Sequence, residues 1–163
     1  MPATPEPSAP GSGAFAFSPG SVLAFDFGKR LVGVAVGNRI AASARALTTL
    51  ANGDWQRLDA LIAEWRPEWL VVGLPLALDG AEQPMTRAAR EFAAALQKRY
   101  TRPTHLVDER YTSGEAARRF AEARAHGAAK RKDAAAIDSL AAEIILEAWL
   151  AATDAQAMQR SRS

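Results

Sequence analysis

The sequence has no cysteine, which excludes disulfide bridges and thiolate chemistry from all of its 163 residues. It has only two histidines, His105 and His126, and their spacing indicates no zinc site. No apolar run is long enough to span a bilayer, and the N-terminus lacks the basic region and apolar core of a signal peptide. Because targeting signals are lacking, we expect a cytoplasmic protein.

The chain also has little excess charge, since 20 lysines and arginines are balanced by 18 aspartates and glutamates, a net charge of +2. This balance does not by itself indicate nucleic-acid binding. The distribution says more, because seven basic or imidazole side chains fall in one stretch: Arg118, Arg119, Arg124, His126, Lys130, Arg131 and Lys132. Such a cluster can neutralise phosphates. From charge alone, a solvated helix face followed by a loop is the simpler interpretation.

What is present is the composition of one globular domain, with 48% hydrophobic and 23% charged residues. Residues 1–20 are rich in proline, glycine, serine and alanine without apolar periodicity, which predicts a flexible N-terminal tail. Residues 153–163 are interpreted as a shorter, flexible C-terminal tail. A single domain is therefore expected over residues 21–152.

Apolar periodicity within this domain predicts the element order β-β-β-α-β-α-β-α-α. Short apolar runs predict buried strands, and stripes at a period of 3.6 predict helices. The predicted strands are 22–27, 31–36, a third within 40–50, 69–73 and 104–108. The first two predicted helices begin after an Asp54 N-cap and at Pro84. The third begins at a Thr112–Glu115 capping box and ends at Gly127, and the fourth runs from near Ala136 to Leu150. Antiparallel strands followed by helical crossovers predict an α/β fold, a mixed five-stranded sheet flanked by helices.

Three acidic residues stand at informative places in this pattern. Asp26 lies inside an otherwise apolar strand, where an unpaired charge costs several kcal/mol; a carboxylate that caps the following turn is the alternative. Glu109 ends the fifth strand, and sites in open α/β sheets form at the carboxyl ends of parallel strands. Taken alone, Glu109 is better explained by a surface ion pair with a neighbouring arginine.

Asp138 is the most informative acid, because its helical position puts it on the face of Ala142, Ile145 and Trp149. Glu143 and Glu147 are expected on the opposite, solvated face. We expect Asp138 in the first turn of its helix, where favourable charge placement near the N-terminus is the alternative explanation. That alternative explains an outward acid better than one that points into the protein.

Three inward carboxylates make a set of hard oxygen ligands, which Mg²⁺ and Mn²⁺ prefer. Two such ions about 4 Å apart would activate a water and stabilise the leaving oxygen in phosphodiester hydrolysis. The residues alone therefore predict a metal-dependent hydrolase with Asp26, Glu109 and Asp138 as catalytic residues and metal ligands.

Five segments, which occur in the same order as in the family, resemble the YqgF or RuvX family of Holliday-junction-resolvase-like proteins and pre-16S rRNA nucleases. They are 23–28 (LAFDFG), 33–37 (GVAVG), 71–75 (VVGLP) with Asp79-Gly80, 108–113 (DERYTS) and 137–139 (IDS). The resemblance implies an RNase H-like fold and puts Asp26, Glu109 and Asp138 at the catalytic acid positions. One departure is the pair Lys29-Arg30, where the family usually has a small or neutral residue followed by lysine.

The resemblance favours a nuclease that acts on structured RNA, as in processing the 5′ end of precursor 16S rRNA. Six cations are the expected nucleic-acid contacts: Lys29, Arg30, Arg110, Lys130, Arg131 and Lys132. For Arg110, a structural salt bridge is an equally good interpretation. Resolution of branched DNA, which requires a homodimer, remains an alternative to a monomeric RNA nuclease. A non-catalytic nucleic-acid-binding, transcription-associated module with vestigial acids is a third interpretation.

Overall fold

Five strands form one sheet in the computed structural model, which describes residues 19–77, 79–109 and 131–162. The strands are β1 (Ser21–Phe27), β2 (Leu31–Asn38), β3 (Ser43–Ala51), β4 (Trp69–Leu74) and β5 (Thr104–Asp108). Their spatial order is β3-β2-β1-β4-β5. The pairs β1–β2 and β2–β3 are antiparallel, and β1–β4 and β4–β5 are parallel. The mixed five-stranded sheet of the RNase H-like prediction is confirmed, with β1 at its centre.

Three helices flank the sheet within the described ranges: α1 (Trp55–Trp65), α2 (Pro84–Tyr100) and α3 (Arg131–Arg162). The predicted N-cap is confirmed, since the Asp54 carboxylate accepts a hydrogen bond from the Arg57 N–H at 3.2 Å. Pro84 occupies the first turn of α2, where its missing N–H costs nothing. The predicted helix from Thr112 to Gly127 lies outside the described residues.

The two faces of the sheet are covered by different helices. The face of Leu23 and Phe25 packs against α1 and α2, and its core includes Ile62 and Phe92. The face of Val22, Ala24, Ala35 and Val71 packs against α3 through Ala142, Ile145, Leu146 and Trp149. Because side chains alternate along β1, every second residue of this central strand points at α3. The inward face expected for the last helix is therefore confirmed.

The last helix is longer at both ends than the sequence indicated. It begins at Arg131 rather than near Ala136, and it continues through residues 153–162, which we had assigned to a flexible tail. That assignment was wrong for the described residues of the segment, because the absence of an apolar stripe does not stop a helix that has already formed. Alanine, glutamine, methionine and arginine favour helix, and neither glycine nor proline interrupts this stretch.

The described fold begins just before β1. Of the predicted tail over residues 1–20, residues 1–18 lie outside the described part. Gly20 already belongs to the folded unit, because its N–H donates to Glu68 Oε2 at 2.9 Å and its carbonyl accepts from the Arg39 N–H at 2.8 Å. In the ranges that the structure describes, no helix combines the length and apolar character needed to cross a membrane.

Candidate active site

Asp26 lies near the carboxyl end of β1, the central strand. It is half-buried and follows Val22 and Ala24 on the face that α3 covers, as the alternation along a strand requires. Its partner on β2 is Gly33, and on β4 the next register position after the pair Phe25–Val72 brings Gly73 beside it. The carboxylate therefore stands on the α3 face with a glycine on each neighbouring strand.

Gly33 allows the backbone of α3 to contact the sheet. A Cβ at this position would lie 1.9 Å from the carbonyl oxygen of Asp138 and 2.2 Å from its carbonyl carbon. No side chain fits there, because the atoms in the way are main-chain atoms of a packed helix. Since directly opposite residues of an antiparallel pair share a face, this contact places Asp138 over the strand next to Asp26.

Gly73 makes room for Glu109 in the same way on the other side of Asp26. Glu109 follows β5 immediately, and a Cβ on Gly73 would lie 2.7 Å from Glu109 Oε1. The same Cβ would lie 2.4 Å from the Cδ1 atom of Ile145 on α3. The carboxylate of Glu109 therefore reaches from the edge of the sheet back over β4.

The structure thus brings the three predicted acids to one face and one end of the sheet. Asp26 and Glu109 come from strands whose carboxyl ends meet there, and Asp138 comes from the helix above. Gly33 and Gly73 stood out in the sequence only as parts of the matching segments 33–37 and 71–75. An isolated glycine inside a strand was the signal for close backbone approach, and it was available at both positions.

Asp138 lies seven residues after the first residue of α3, not in the first turn as we expected. The helix dipole acts mainly within the first turn, so charge placement at the N-terminus does not explain this acid. Burial raises the pKa of its carboxyl group above the ordinary value of 3.8, because desolvation disfavours the charged form. An inward carboxylate that is costly to ionise is a common feature of functional sites.

Glu143 corrects a further expectation. Glu147 is exposed as expected, but Glu143 is half-buried and its Oε1 accepts a hydrogen bond from the Ala46 N–H at 2.8 Å. This contact lies beside a bulge in the edge strand β3, where the register shift between Val34 and Ala35 leaves an extra residue next to Ala46. Glu143 therefore ties α3 to the edge strand and holds the helix that carries Asp138.

The predicted nucleic-acid contacts fall into three groups. Lys29 and Arg30 are exposed in the turn between β1 and β2, at the same end of the sheet as the acids. Arg131 and Lys132 belong to the first turn of α3, although the sequence indicated a loop there. Arg110 and Lys130 lie outside the described residues.

The donor chemistry of the three acids suits a hard divalent cation such as Mg²⁺ or Mn²⁺. Among the residues described, no three histidine, cysteine, aspartate or glutamate side chains come together closely enough to hold an ion by themselves. Mg²⁺ is commonly held by one or two carboxylates together with substrate phosphates. One or two of the acids would then be the protein ligands of such an ion.

Comparison with known proteins adds independent information. The family model described as "RuvX: Holliday junction resolvase" matches residues 20–152. A "Putative pre-16S rRNA nuclease" of Xanthomonas axonopodis pv. citri is 51% identical over 139 residues, which is 83% of this chain and 90% of that protein. A protein of the same name from Xanthomonas campestris pv. campestris is 50% identical over 138 residues, which is 82% of this chain and 89% of that protein.

The likeness to solved structures is weaker. The crystal structure of Archaeoglobus fulgidus Pelota matches with a TM-score of 0.41 and 13% identity, over 88% of this chain and 38% of that one. This similarity is too low to bear on the site. The family match and the relatives, in contrast, span nearly the whole described fold.

Proposed function

Because the chain belongs to the RuvX family, whose relatives are named as nucleases, we propose that it cleaves precursor 16S rRNA with the help of divalent metal ions. Hydrolysis of nucleic-acid phosphodiester bonds is the activity that the family and its relatives have in common. The proposal adds the substrate, the 5′ end of the precursor, and the cytoplasm as the place where it acts.

The observation that carries the proposal is the arrangement around Asp26. Glycines on both neighbouring strands make room for the Asp138 backbone and the Glu109 carboxylate on the same face. In this proposal the three acids are the catalytic centre and hold Mg²⁺ or Mn²⁺, as one or two ions. Such ions, when bound, activate a water and stabilise the leaving oxygen of a phosphodiester.

The electrostatics of the site support a cationic ligand. Burial raises the pKa of Asp138, because desolvation makes its ionised form less favourable than in water. A divalent cation beside it would offset this cost and favour the ionised form. Asp26 and Glu109 add two further half-buried acids on the same face, and in this proposal the cation would bind them as well.

Binding of the nucleic acid is assigned to the exposed cations at this end of the sheet. Lys29 and Arg30 lie three and four residues after Asp26, close enough along the chain to contact phosphates next to the cleaved bond. Arg131 and Lys132, together with Arg110 and Lys130, would extend the phosphate contacts. Phosphate contacts carry no sequence information, so these side chains bind RNA and DNA backbones alike.

Cleavage of branched DNA is the second candidate function, and it is favoured by the description of the matching family as a resolvase. Cutting both strands of a junction requires two active sites, so this activity predicts a homodimer. The RNA activity is compatible with a monomer.

A cleavage panel separates these functions. The purified full chain is incubated with Mn²⁺ and a precursor 16S rRNA 5′-end transcript, an unstructured single-stranded RNA, or a four-way DNA junction. We expect cleavage of the precursor transcript at defined positions, which Asp26→Asn abolishes. Preferential junction cleavage by a dimer would establish the resolvase activity instead. RNA binding with neither cleavage nor Mn²⁺ binding by calorimetry would contradict both and indicate a non-catalytic module.

A further inference from the structure

One residue outside the β1–β2 turn holds that turn in place. Asn52 follows β3, and its side-chain Nδ2 donates to the carbonyl oxygens of Gly28 at 2.9 Å and Lys29 at 3.1 Å. Its main-chain N–H donates to the carbonyl oxygen of Arg30 at 2.8 Å. Three successive carbonyls of the turn therefore accept hydrogen bonds from a single asparagine.

Asn52 is itself well fixed by its neighbours. The preceding residue, Ala51, pairs with Leu31 at the end of the β2–β3 ladder. Its carbonyl accepts from the Asp54 N–H at 3.1 Å, and Gly53 supplies the positive φ of +94° that a turn of this kind needs. Asp54 then caps α1. Asn52 thus lies between a strand pair and a helix cap, and both restrict its movement.

The chemistry of the contact requires an amide. The Nδ2 group of asparagine supplies two N–H donors, whereas an aspartate carboxylate of the same shape is an acceptor only. An aspartate at this position would therefore face two carbonyl oxygens without a proton to share. The turn would lose two hydrogen bonds and gain a repulsive contact, although the side chain would keep its size.

The turn that Asn52 holds carries Lys29 and Arg30. Both side chains are exposed at the protein surface. Fixing the three carbonyls fixes the peptide planes between them and so the directions in which the two cations leave the backbone. A preorganised turn loses less conformational freedom on binding than a mobile one.

We propose that Asn52 is a positioning residue for nucleic-acid binding, which holds Lys29 and Arg30 toward the phosphates beside Asp26. This inference rests on the proposed function and deepens it. Asn52 acts through the two cations and touches neither metal nor reacting atoms. Its loss should therefore weaken substrate binding and leave the chemical step largely intact.

The test compares three full-length variants on the precursor 16S rRNA 5′-end transcript with Mn²⁺. Asn52→Asp removes the donor at constant size. The double variant Lys29→Ala/Arg30→Ala removes the cations, and the triple variant combines both changes. Asn38→Asp is the matched control, because Asn38 Nδ2 donates to the Pro19 carbonyl at 2.7 Å in a turn at the opposite end of the sheet. Urea unfolding is measured for all of them.

We expect Asn52→Asp to raise KM about tenfold with kcat nearly unchanged, and to weaken the dependence of KM on salt. When Asn52→Asp is added to the double variant Lys29→Ala/Arg30→Ala, KM should rise little further. Asn38→Asp should leave KM unchanged at a similar loss of stability. A normal KM for Asn52→Asp would overturn the inference. So would an equal increase in KM whether or not Lys29 and Arg30 are present. In either case, cleavage by the wild-type protein would still uphold the proposed function. Failure of the wild-type protein to bind or cleave RNA would overturn the proposed function and the inference with it.

Discussion

The Cα atom of Gly33 lies directly against the main-chain carbonyl of Asp138, so closely that a Cβ would come within 1.9 Å of the oxygen. This contact joins the strand next to Asp26 to the helix that carries the third acid. The absence of a side chain at Gly33 thus sets the distance between β2 and α3 at the site. Any residue larger than glycine must push the helix away from the sheet.

Replacing Gly33 with alanine should therefore reduce both stability and activity. Overpacking of this kind costs roughly 1–3 kcal/mol, and displacing Asp138 by about 1 Å should lower kcat on the order of 100-fold. Urea unfolding and single-turnover cleavage give the two values. Ala35→Gly is the control, because Ala35 lies on the same strand and the same face but its change removes a methyl group. The account is contradicted if Gly33→Ala cleaves as fast as Ala35→Gly.

Replacing Gly73 with alanine should separate activity from stability. The added Cβ meets the ends of two side chains, Glu109 Oε1 and Ile145 Cδ1, which can move more easily than the backbone of a helix. We expect a stability loss of roughly 1 kcal/mol, smaller than for Gly33→Ala, together with a clear loss of cleavage because the Glu109 carboxylate is displaced. If activity falls only in proportion to stability, Glu109 has no catalytic role at this position.

Asp138 should make the metal-free protein less stable at neutral pH. Its pKa is higher in the folded than in the unfolded state, so its contribution favours folding below about pH 3.8 and is lost as the pH rises through the raised pKa. Asp138→Asn should therefore be more stable than wild type at pH 7 and close to it at pH 3, while it loses cleavage. Urea unfolding in EDTA from pH 3 to 7 measures the difference. Asp154→Asn, an exposed change on the same helix, is the control for the loss of one carboxylate.

Asp59 should have the opposite pH dependence. Hydrogen bonds from Arg99 at 2.8 Å and from the Tyr100 hydroxyl at 2.7 Å lower the pKa of Asp59 from 3.8 to about 2. Its stabilisation of the α1–α2 pair is therefore complete above about pH 4 and is lost as the pH falls toward 2. Asp59→Asn should reduce stability at neutral pH but not in strong acid. Cleavage should be unchanged, because α1 and α2 cover the face opposite the acids. A large loss of activity would show that both faces contribute to the site.

Much of the fold could be predicted from the sequence, because the strands and helices follow their apolar periods. Strand β1 is a direct example, because the alternation of side chains along a strand assigns its two faces. Leu23 and Phe25 lie on one face, and Val22 and Ala24 lie on the other. Asp26 was recognisable for the same reason, as a charge in a buried strand. The local signals around Asp54 and Pro84 likewise predicted where α1 and α2 begin.

The position of α3 on the sheet could not be predicted in this way, because it depends on contacts between distant parts of the chain. The hydrogen bond from the Ala46 N–H to Glu143 and the bulge beside it leave no trace in the apolar pattern, so Glu143 was expected in solvent. The position of Asp138 within its helix was also misjudged, because the residues before Ala136 lack the stripe that marks a helix. Only the contact with Gly33 shows which part of α3 lies over β2.

The central claim is that Asp26, Glu109 and Asp138 act together as one metal-dependent catalytic centre. The most direct test is the rate of Mn²⁺-dependent cleavage of a precursor 16S rRNA 5′-end transcript by wild type, Asp26→Asn, Glu109→Gln and Asp138→Asn, with Asp154→Asn as the control. The account predicts a loss of more than about 100-fold for each of the three variants, at unchanged folding, and normal cleavage by the control. Wild-type rates for folded Asp26→Asn would contradict it.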